Sequence, residues 1–282
     1  MKQTAYLRHI AYDSVIFGFS GEKLKILITK YHNTGLFALP GGFVKMDENL
    51  NDAVRRGLKE RTGLDNIYLE QFYTFGDVAR FRPEVMQTIL EANGHSIQTY
   101  EWMLDRFISV AYYALINYSE VVPTPDALSD SCDWYSLDDL PELMLDHANI
   151  VSKALQTLRD NLERQLVGMN LLPPLFTMGD LQKVYEAILG EKLHRGAFQR
   201  KMLGLGILKR HDKQYSGAAH KAPFLYSFEA WYKKMSQLIH KCVGTFFCYT
   251  FNYLKLSLYK LFGGNVVTFF EDNNEFNGLR IS

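Results

Sequence analysis

Apolar and polar positions change period several times along the 282 residues, and each change predicts a different element. An alternating apolar run from Leu24 to Ile28 reads as a strand. Leu50, Ala53, Val54, Gly57 and Leu58 recur at helical spacing as one stripe, which predicts a helix closed by Gly63. The helical period returns at Val85, Met86, Ile89 and Leu90, and again at Val151, Ala154, Leu155, Leu158 and Leu162. Pro173 and Pro174 then stop any helix, because proline has no N–H to donate and clashes with the preceding turn. A domain boundary is expected there. Past it, Thr177 and Asp180 form a capping box ahead of Leu181, Val184, Tyr185 and Ile188. Gly190 breaks that helix, and a second one holding Ala197, Phe198 and Met202 ends near Gly204 and Gly206. Ile207–Arg210 and Phe224–Phe228 read as two strands joined by a polar loop with Gly217 and Pro223. Helix, turn, helix and hairpin together predict a winged helix-turn-helix.

Charge sharpens the division. The net charge is zero, yet residues 1–170 carry 16 Lys and Arg against 23 Asp and Glu, and residues 171–282 carry 15 against 8. The halves are therefore −7 and +7, as in two domains with different partners. Between Lys192 and Lys221 stand eight basic residues (Lys192, Arg195, Arg200, Lys201, Lys209, Arg210, Lys213, Lys221) and one acidic residue, Asp212. A solvated basic surface would explain the charge alone; charge, helix order and wing strands together point to double-stranded DNA. Arg195, Gln199, Arg200 and Lys201 fall early on the second helix, where side chains reach base edges, and Lys209, Arg210 and Lys213 would grip phosphates from the wing.

Composition is that of an ordinary globular chain, 47% hydrophobic and 22% charged. Cys132, Cys242 and Cys248 are widely spaced and odd in number, so neither a disulfide framework nor a zinc signature is present. No secretory signal is read at Met1–Ser14, and a cytoplasmic location is the expectation. The charge-free run Cys242–Leu254 is 13 residues, whereas a membrane span needs about 20. No span and no cofactor are expected.

The stretch Gly42–Leu64 carries the chemistry. Gly42 is followed after five residues by Glu48, and after seven more by Arg56-Gly57-Leu58-Lys59-Glu60-Arg61-Thr62-Gly63-Leu64. That spacing, with Leu39-Pro40-Gly41-Gly42 ahead of it, resembles the Nudix box, whose pattern after the arginine is Glu, apolar, any, Glu, Glu, any, Gly, apolar. Gly57 and Arg61 stand where the family has glutamates. A Nudix hydrolase splits nucleoside diphosphate compounds with Mg²⁺, which needs a rigid octahedron of oxygens. One remaining glutamate, Glu60, is a thin site. Arg61 opposes it further, since like unit charges at about 4 Å repel by roughly 4 kcal/mol at an effective dielectric near 20, and a divalent ion doubles that. No catalytic residue and no metal ligand are therefore assigned. An i,i+4 ion pair of Arg56 with Glu60 on a helix surface would explain those two residues alone, but not the whole box.

A Nudix domain with an eroded box followed by a winged helix is similar to the Nudix-related transcriptional regulators of bacteria over residues 8–228. Phe75-Gly76-Asp77, Arg106–Tyr113, Asp146-His147 and Asn170-Leu171-Leu172-Pro173 resemble the same family. The resemblance implies an α+β chain: a Nudix α/β/α sandwich with a mixed sheet, then the winged helix. It also implies a homodimer whose operator affinity responds to ADP-ribose in some branches and a pentose such as arabinose in others. Boxes that have lost these carboxylates are found in the sugar-responsive branch, so a sugar or sugar-derived effector is expected. Lys45, Arg56, Glu60, Asp77 and Arg106 are its candidate ligands, as polar groups suited to hydroxyls. The alternative is a hydrolase of nucleoside diphosphate sugars or ADP-ribose, with Glu48 and Glu60 holding Mg²⁺.

The expected organisation is a Nudix-like sensor at 1–165, a linker at 166–174, a winged helix at 175–229 and an extension at 230–282. Two features depart from the family. An insertion at about 79–104 could reshape the pocket. The extension holds Phe247, Tyr249, Phe251 and Tyr253 in strand-like alternation. His147 reads as a residue packed at a helix start or touching ligand, in preference to a catalytic base. Asp138, Asp139 and Glu142 around Pro141 read as a capped surface turn rather than a metal site.

Overall fold

The computed structural model describes residues 5–65, 67–165, 170–214, 222–229, 267–272 and 275–281. Seven strands form a mixed sheet: β1 (Tyr6–Phe19), β2 (Leu24–Tyr31), β3 (Phe37–Ala38), β4 (Gly41–Lys45), β5 (Tyr68–Phe75), β6 (Ile108–Ile116) and β7 (Ser129–Ser136). Its spine runs β3-β2-β1-β6-β5, with β4 beside β1 and β7 beside β2. The β1–β6 pair is parallel; the others are antiparallel.

Strand parity explains why both faces are covered. Side chains alternate across a strand, so Val15 and Phe17 of β1, Ile26 and Ile28 of β2, and Tyr113 and Leu115 of β6 share one cluster. Tyr12 and Ile16, Leu27, and Tyr112 and Ala114 share the other. The second face takes α1 (Leu50–Thr62) through Ala53, Val54 and Leu58. The first takes α4 (His147–Gln165) through Ile150, Ala154, Leu158 and Leu162. The result is helix, sheet, helix.

The insertion begins with a 3₁₀ turn at Val78–Arg80, followed by α2 (Pro83–Ala92), α3 (Ile97–Tyr100) and a second turn at Glu101–Leu104. Proline at the first position of α2 suits a helix start, where no partner for its N–H is needed. Leu90, Trp102 and Met103 build a small core of their own against Tyr6, Phe43 and Phe107. Trp102 stacks on Tyr6 at 5.7 Å and meets the edge of Phe43 at 4.8 Å.

The winged helix comprises β8 (Phe176–Thr177), α5 (Met178–Leu189), α6 (Arg195–Gly204), β9 (Leu208–Lys213) and β10 (Phe224–Phe228), with strand order β8-β10-β9. Thr177 and Asp180 close the capping box reciprocally, and Gly190 ends α5 at φ 78°, where a Cβ would be strained. The first wing strand runs three residues beyond Arg210, because Lys213 still pairs with Phe224.

Pro173-Pro174 lie between α4 and the first helix of the winged helix, but the boundary they mark separates no cores. Leu171, Leu172, Phe176, Leu181 and Val184 lie in the same cluster as Phe17, Tyr113 and Leu158, and residues Met1–Tyr232 form one compact unit. Two prolines exclude a helix locally without preventing burial on either side of them. Lys233–Ser282 forms the second unit, in which β11 (Val267–Asp272) pairs antiparallel with β12 (Glu275–Ile281). The expected alternation at Phe247, Tyr249, Phe251 and Tyr253, and the loop positions Gly217 and Lys221, lie outside the described residues. No helix among the described residues is long and apolar enough to cross a membrane.

Candidate functional site

Tyr12 occupies the ground that the eroded box leaves open. It comes from β1, its ring is buried, and its hydroxyl would lie 2.2 Å from a Cβ at Gly57 and 2.6 Å from one at Gly42. Burial pushes its pKa up to about 12, so the hydroxyl stays protonated. Arg61 is equally committed. Only 8% exposed, it pairs through Nη2 with Asp126 at 2.5 Å, while its Nε has no partner. A magnesium shell needs carboxylates where these two groups sit, so the residues present do not fit the ion. Among the described residues no group of three His, Cys, Asp or Glu could hold a metal.

The retained box residues fasten the helix to its loop. Arg56 grips Glu48 with Nε at 3.1 Å and Nη2 at 2.7 Å, and also donates to the Phe43 carbonyl at 3.1 Å. Glu48 in turn accepts from the Lys45 backbone N–H at 2.8 Å. The guanidinium, ahead of the backbone donor, holds the Glu48 carboxyl below the usual carboxylate range. Glu60 is more distant, 3.5 Å from Arg56, and half exposed. The i,i+4 pair is therefore secondary to the Glu48 clamp.

Beside this helix lies a cavity of about 280 Å³. Tyr12, Asp13 and Gly41–Phe43 line it from β1 and β4, Arg56, Glu60 and Arg61 from α1, and Arg80–Pro83 and Met86 from the insertion. Of the five expected ligand residues, Arg56 and Glu60 line the cavity and Lys45, Asp77 and Arg106 do not. Asp77 instead caps the turn that carries Arg80, accepting from Ala79 N–H at 2.8 Å. Arg106 donates to the Gly76 carbonyl at 2.6 Å. Both hold the entrance and exit of the insertion.

A buried polar network floors the cavity. Arg80 meets both carboxylate oxygens of Asp146, at 3.1–3.2 Å from Nε and 3.1 Å from Nη2, and reaches Asp13 at 3.4 Å. Ser109 Oγ donates to Asp13 at 2.5 Å. His147, 3% exposed, accepts from the Leu39 N–H through Nδ1 at 2.9 Å, which puts its proton on Nε2, 3.7 Å from Asp13. Burial lowers its pKa against the opposing pull of Asp13 and Asp146. A neutral histidine receiving a backbone donor is an organiser of the site, and the expected role at a helix start is what the geometry shows.

On the winged helix, Phe198 and Met202 anchor α6 in the core and leave Arg195, Arg200 and Lys201 exposed, with Gln199 half-buried. His194 caps α6 by accepting from Ala197 N–H at 3.3 Å. Lys209 and Arg210 are exposed on β9, and Arg210 and Lys213 lie over the Phe224 ring at 4.6 and 5.3 Å. The seven expected DNA-contacting residues thus fall on one helix and the adjoining wing strand.

Comparison with known proteins matches residues 7–157 to the NUDIX domain and residues 168–228 to the NrtR DNA-binding winged helix domain. The ADPR responsive transcriptional repressor NtrR of Acinetobacter baylyi is 33% identical over 224 residues, covering 77% of this chain and 80% of that protein. This chain belongs to the NrtR family. The crystal structure of Shewanella oneidensis NrtR superposes with a TM-score of 0.60 at 26% identity, over 79% of this chain and 94% of that one. The same protein complexed with a 27mer DNA shares the fold, with a TM-score of 0.61 at 24% identity over 80% and 96% of the two chains. These relatives do not support placement in the sugar-responsive branch.

Within this NrtR-type chain, sequence reasoning missed Tyr12, Asp13, Arg80 and Asp126. Tyr12 and Asp13 sit in a largely apolar strand, where no motif names them as site residues. Arg80 fell within the expected insertion, and Asp126 lies in no motif. Asp13 and Ser14, polar residues directly ahead of the apolar run Val15–Phe17, were the available signal, since buried charge demands partners.

Proposed function

We propose that this chain is a transcriptional repressor that binds paired operator half-sites as a homodimer and releases them when ADP-ribose enters the Nudix cavity. The observation that carries the reading is the cavity itself. Arg56, Arg61, Arg80 and Arg82 line it together with Tyr12, Phe43, Phe81 and Phe107, a combination suited to a diphosphate and an aromatic base. The 33%-identical repressor, whose name describes a response to ADPR, supports the same effector. Two half-sites follow from the small number of base pairs that one recognition helix reads.

The Nudix domain acts here as a receptor rather than a hydrolase. Tyr12 and the Arg61–Asp126 pair fill the ground where metal ligands would stand. Calorimetry with ADP-ribose, AMP, ribose and arabinose, each with and without a duplex selected from a random pool, tests the proposal. Tight binding of ADP-ribose that is weakened by the duplex is the expected result. Preference for a free pentose would return the protein to the sugar-sensing reading, and rapid release of AMP would make it an enzyme.

A further inference from the structure

We infer that the Arg80–Asp146 ion pair is the clamp through which the effector controls the DNA-binding end, and that effector binding opens it. The inference rests on the reading of the cavity as the effector site.

Arg80 faces two ways. It lines the cavity, and it spends its guanidinium on Asp146, the residue immediately before α4. The Asp146 carbonyl accepts from the N–H groups of Asn149 and Ile150 at 2.9 and 3.1 Å, so the clamped residue begins the helix. The adjacent His147 is bolted to Leu39 of the cavity wall. The start of α4 is therefore tied to the cavity at two consecutive residues.

The far end of α4 is tied to the winged helix. Arg159 donates from Nε to the Ile188 carbonyl in the last turn of α5 at 2.7 Å, where a cation also suits the negative end of the helix. Its Nη2 lies 3.3 Å from where a Cβ at the Gly190 cap of α5 would be. Asn161 donates to Glu70 of β5 at 3.0 Å, and Leu158 and Leu162 share a core with Leu181 and Val184. One helix joins the two ends.

Charge makes the clamp and an anionic effector compete. Arg80 is 7% exposed and faces two carboxylates, Asp13 and Asp146, so the cluster already holds one more negative than positive group. A diphosphate oxygen drawn to Arg80 adds a further negative charge to buried carboxylates, and repulsion at such distances is strong where water is excluded. The guanidinium serves either the phosphate or Asp146. Once released, Asp146 no longer fixes the head of α4, and the insertion that delivers Arg80 is the sensing element of the fold.

The test uses Asp146→Asn, which keeps the shape and removes the charge without touching the cavity lining, and Arg159→Gln at the far end. ADP-ribose and the pool-selected duplex are titrated separately and together into the full chain. With the clamp gone, Asp146→Asn should bind ADP-ribose at least about five-fold tighter than the parent and the duplex correspondingly weaker, and the mutual effect of the two ligands, typically 5–150-fold in coupled systems, should shrink towards one. Arg159→Gln should keep parental ADP-ribose affinity and lose the mutual effect. A merely structural Asp146 would lower both affinities together. Parental coupling in both variants, or no gain in ADP-ribose affinity in Asp146→Asn, would overturn the clamp. If Asp146→Asn fails to fold, Arg159→Gln with undiminished coupling would overturn it alone. A parent that binds no ADP-ribose would overturn the effector reading, and the clamp with it.

Discussion

A side chain at Gly57 would begin 2.2 Å from the Tyr12 hydroxyl, closer than any non-bonded carbon approaches an oxygen. The position is therefore packed against Tyr12, and a glutamate placed there meets a filled space. Gly57→Glu should destabilise the chain by about 1–3 kcal/mol, the usual cost of overpacking, measured by denaturant unfolding. An unchanged midpoint would show that Tyr12 swings aside freely.

Restoring metal binding should then need more than the two glutamates. Gly57→Glu with Arg61→Glu leaves Tyr12 in place and sets a new carboxylate against Asp126, which loses its Arg61 partner. Adding Tyr12→Ala and Asp126→Asn removes both obstacles. Mn²⁺ titration followed by electron paramagnetic resonance should show binding to the quadruple variant only; equal binding by the double variant would refute the obstruction.

The parent should hydrolyse ADP-ribose far below the roughly 1–1000 per second common among enzymes. Chromatographic detection of AMP and ribose 5-phosphate with Mg²⁺ and Mn²⁺ reads this directly, and turnover within that range would make the Nudix domain catalytic.

Side chains on α6 and the wing should separate by role. Arg195→Ala and Gln199→Ala should relax sequence preference by about 1–3 kcal/mol at the bases they face. Lys209→Ala should weaken all duplexes alike and lower the salt slope by about one. Lys213→Ala should do less, because its Nζ already lies over Phe224. Salt-dependent titrations of selected and scrambled duplexes distinguish these outcomes.

His147 should make stability fall on mild acidification. Its folded pKa is lowered by burial, so below the ordinary value of about 6.5 the unfolded chain takes up the proton first, and stability is lost as pH drops from there towards the folded value. Protonation also ends the acceptance of the Leu39 N–H, despite the favourable charges of Asp13 and Asp146 nearby. His147→Gln should flatten the profile between about pH 7 and 5; an unaltered slope would assign the loss to other groups.

Local patterns in the chain determined its elements and its family. The Gly42–Leu64 spacing, the Thr177–Asp180 box, the α4 stripe and the basic run from Lys192 are written within a few turns of backbone, where periodicity and capping act without tertiary help. The departure of Gly57 and Arg61 from the box pattern was legible for the same reason. Only the fold decided what surrounds these two positions, because Tyr12 reaches Gly57 of α1 from β1 and Asp126 reaches Arg61 from a loop 65 residues away. It also decided that Leu171 and Leu172, expected in a linker, join one core across the proline break. Arg80 shows the limit most plainly: its partners Asp146 and Asp13 lie 66 and 67 residues off along the chain, and pairing at that range is set by how sheet, insertion and α4 pack, with buried charge tolerated only where all three converge.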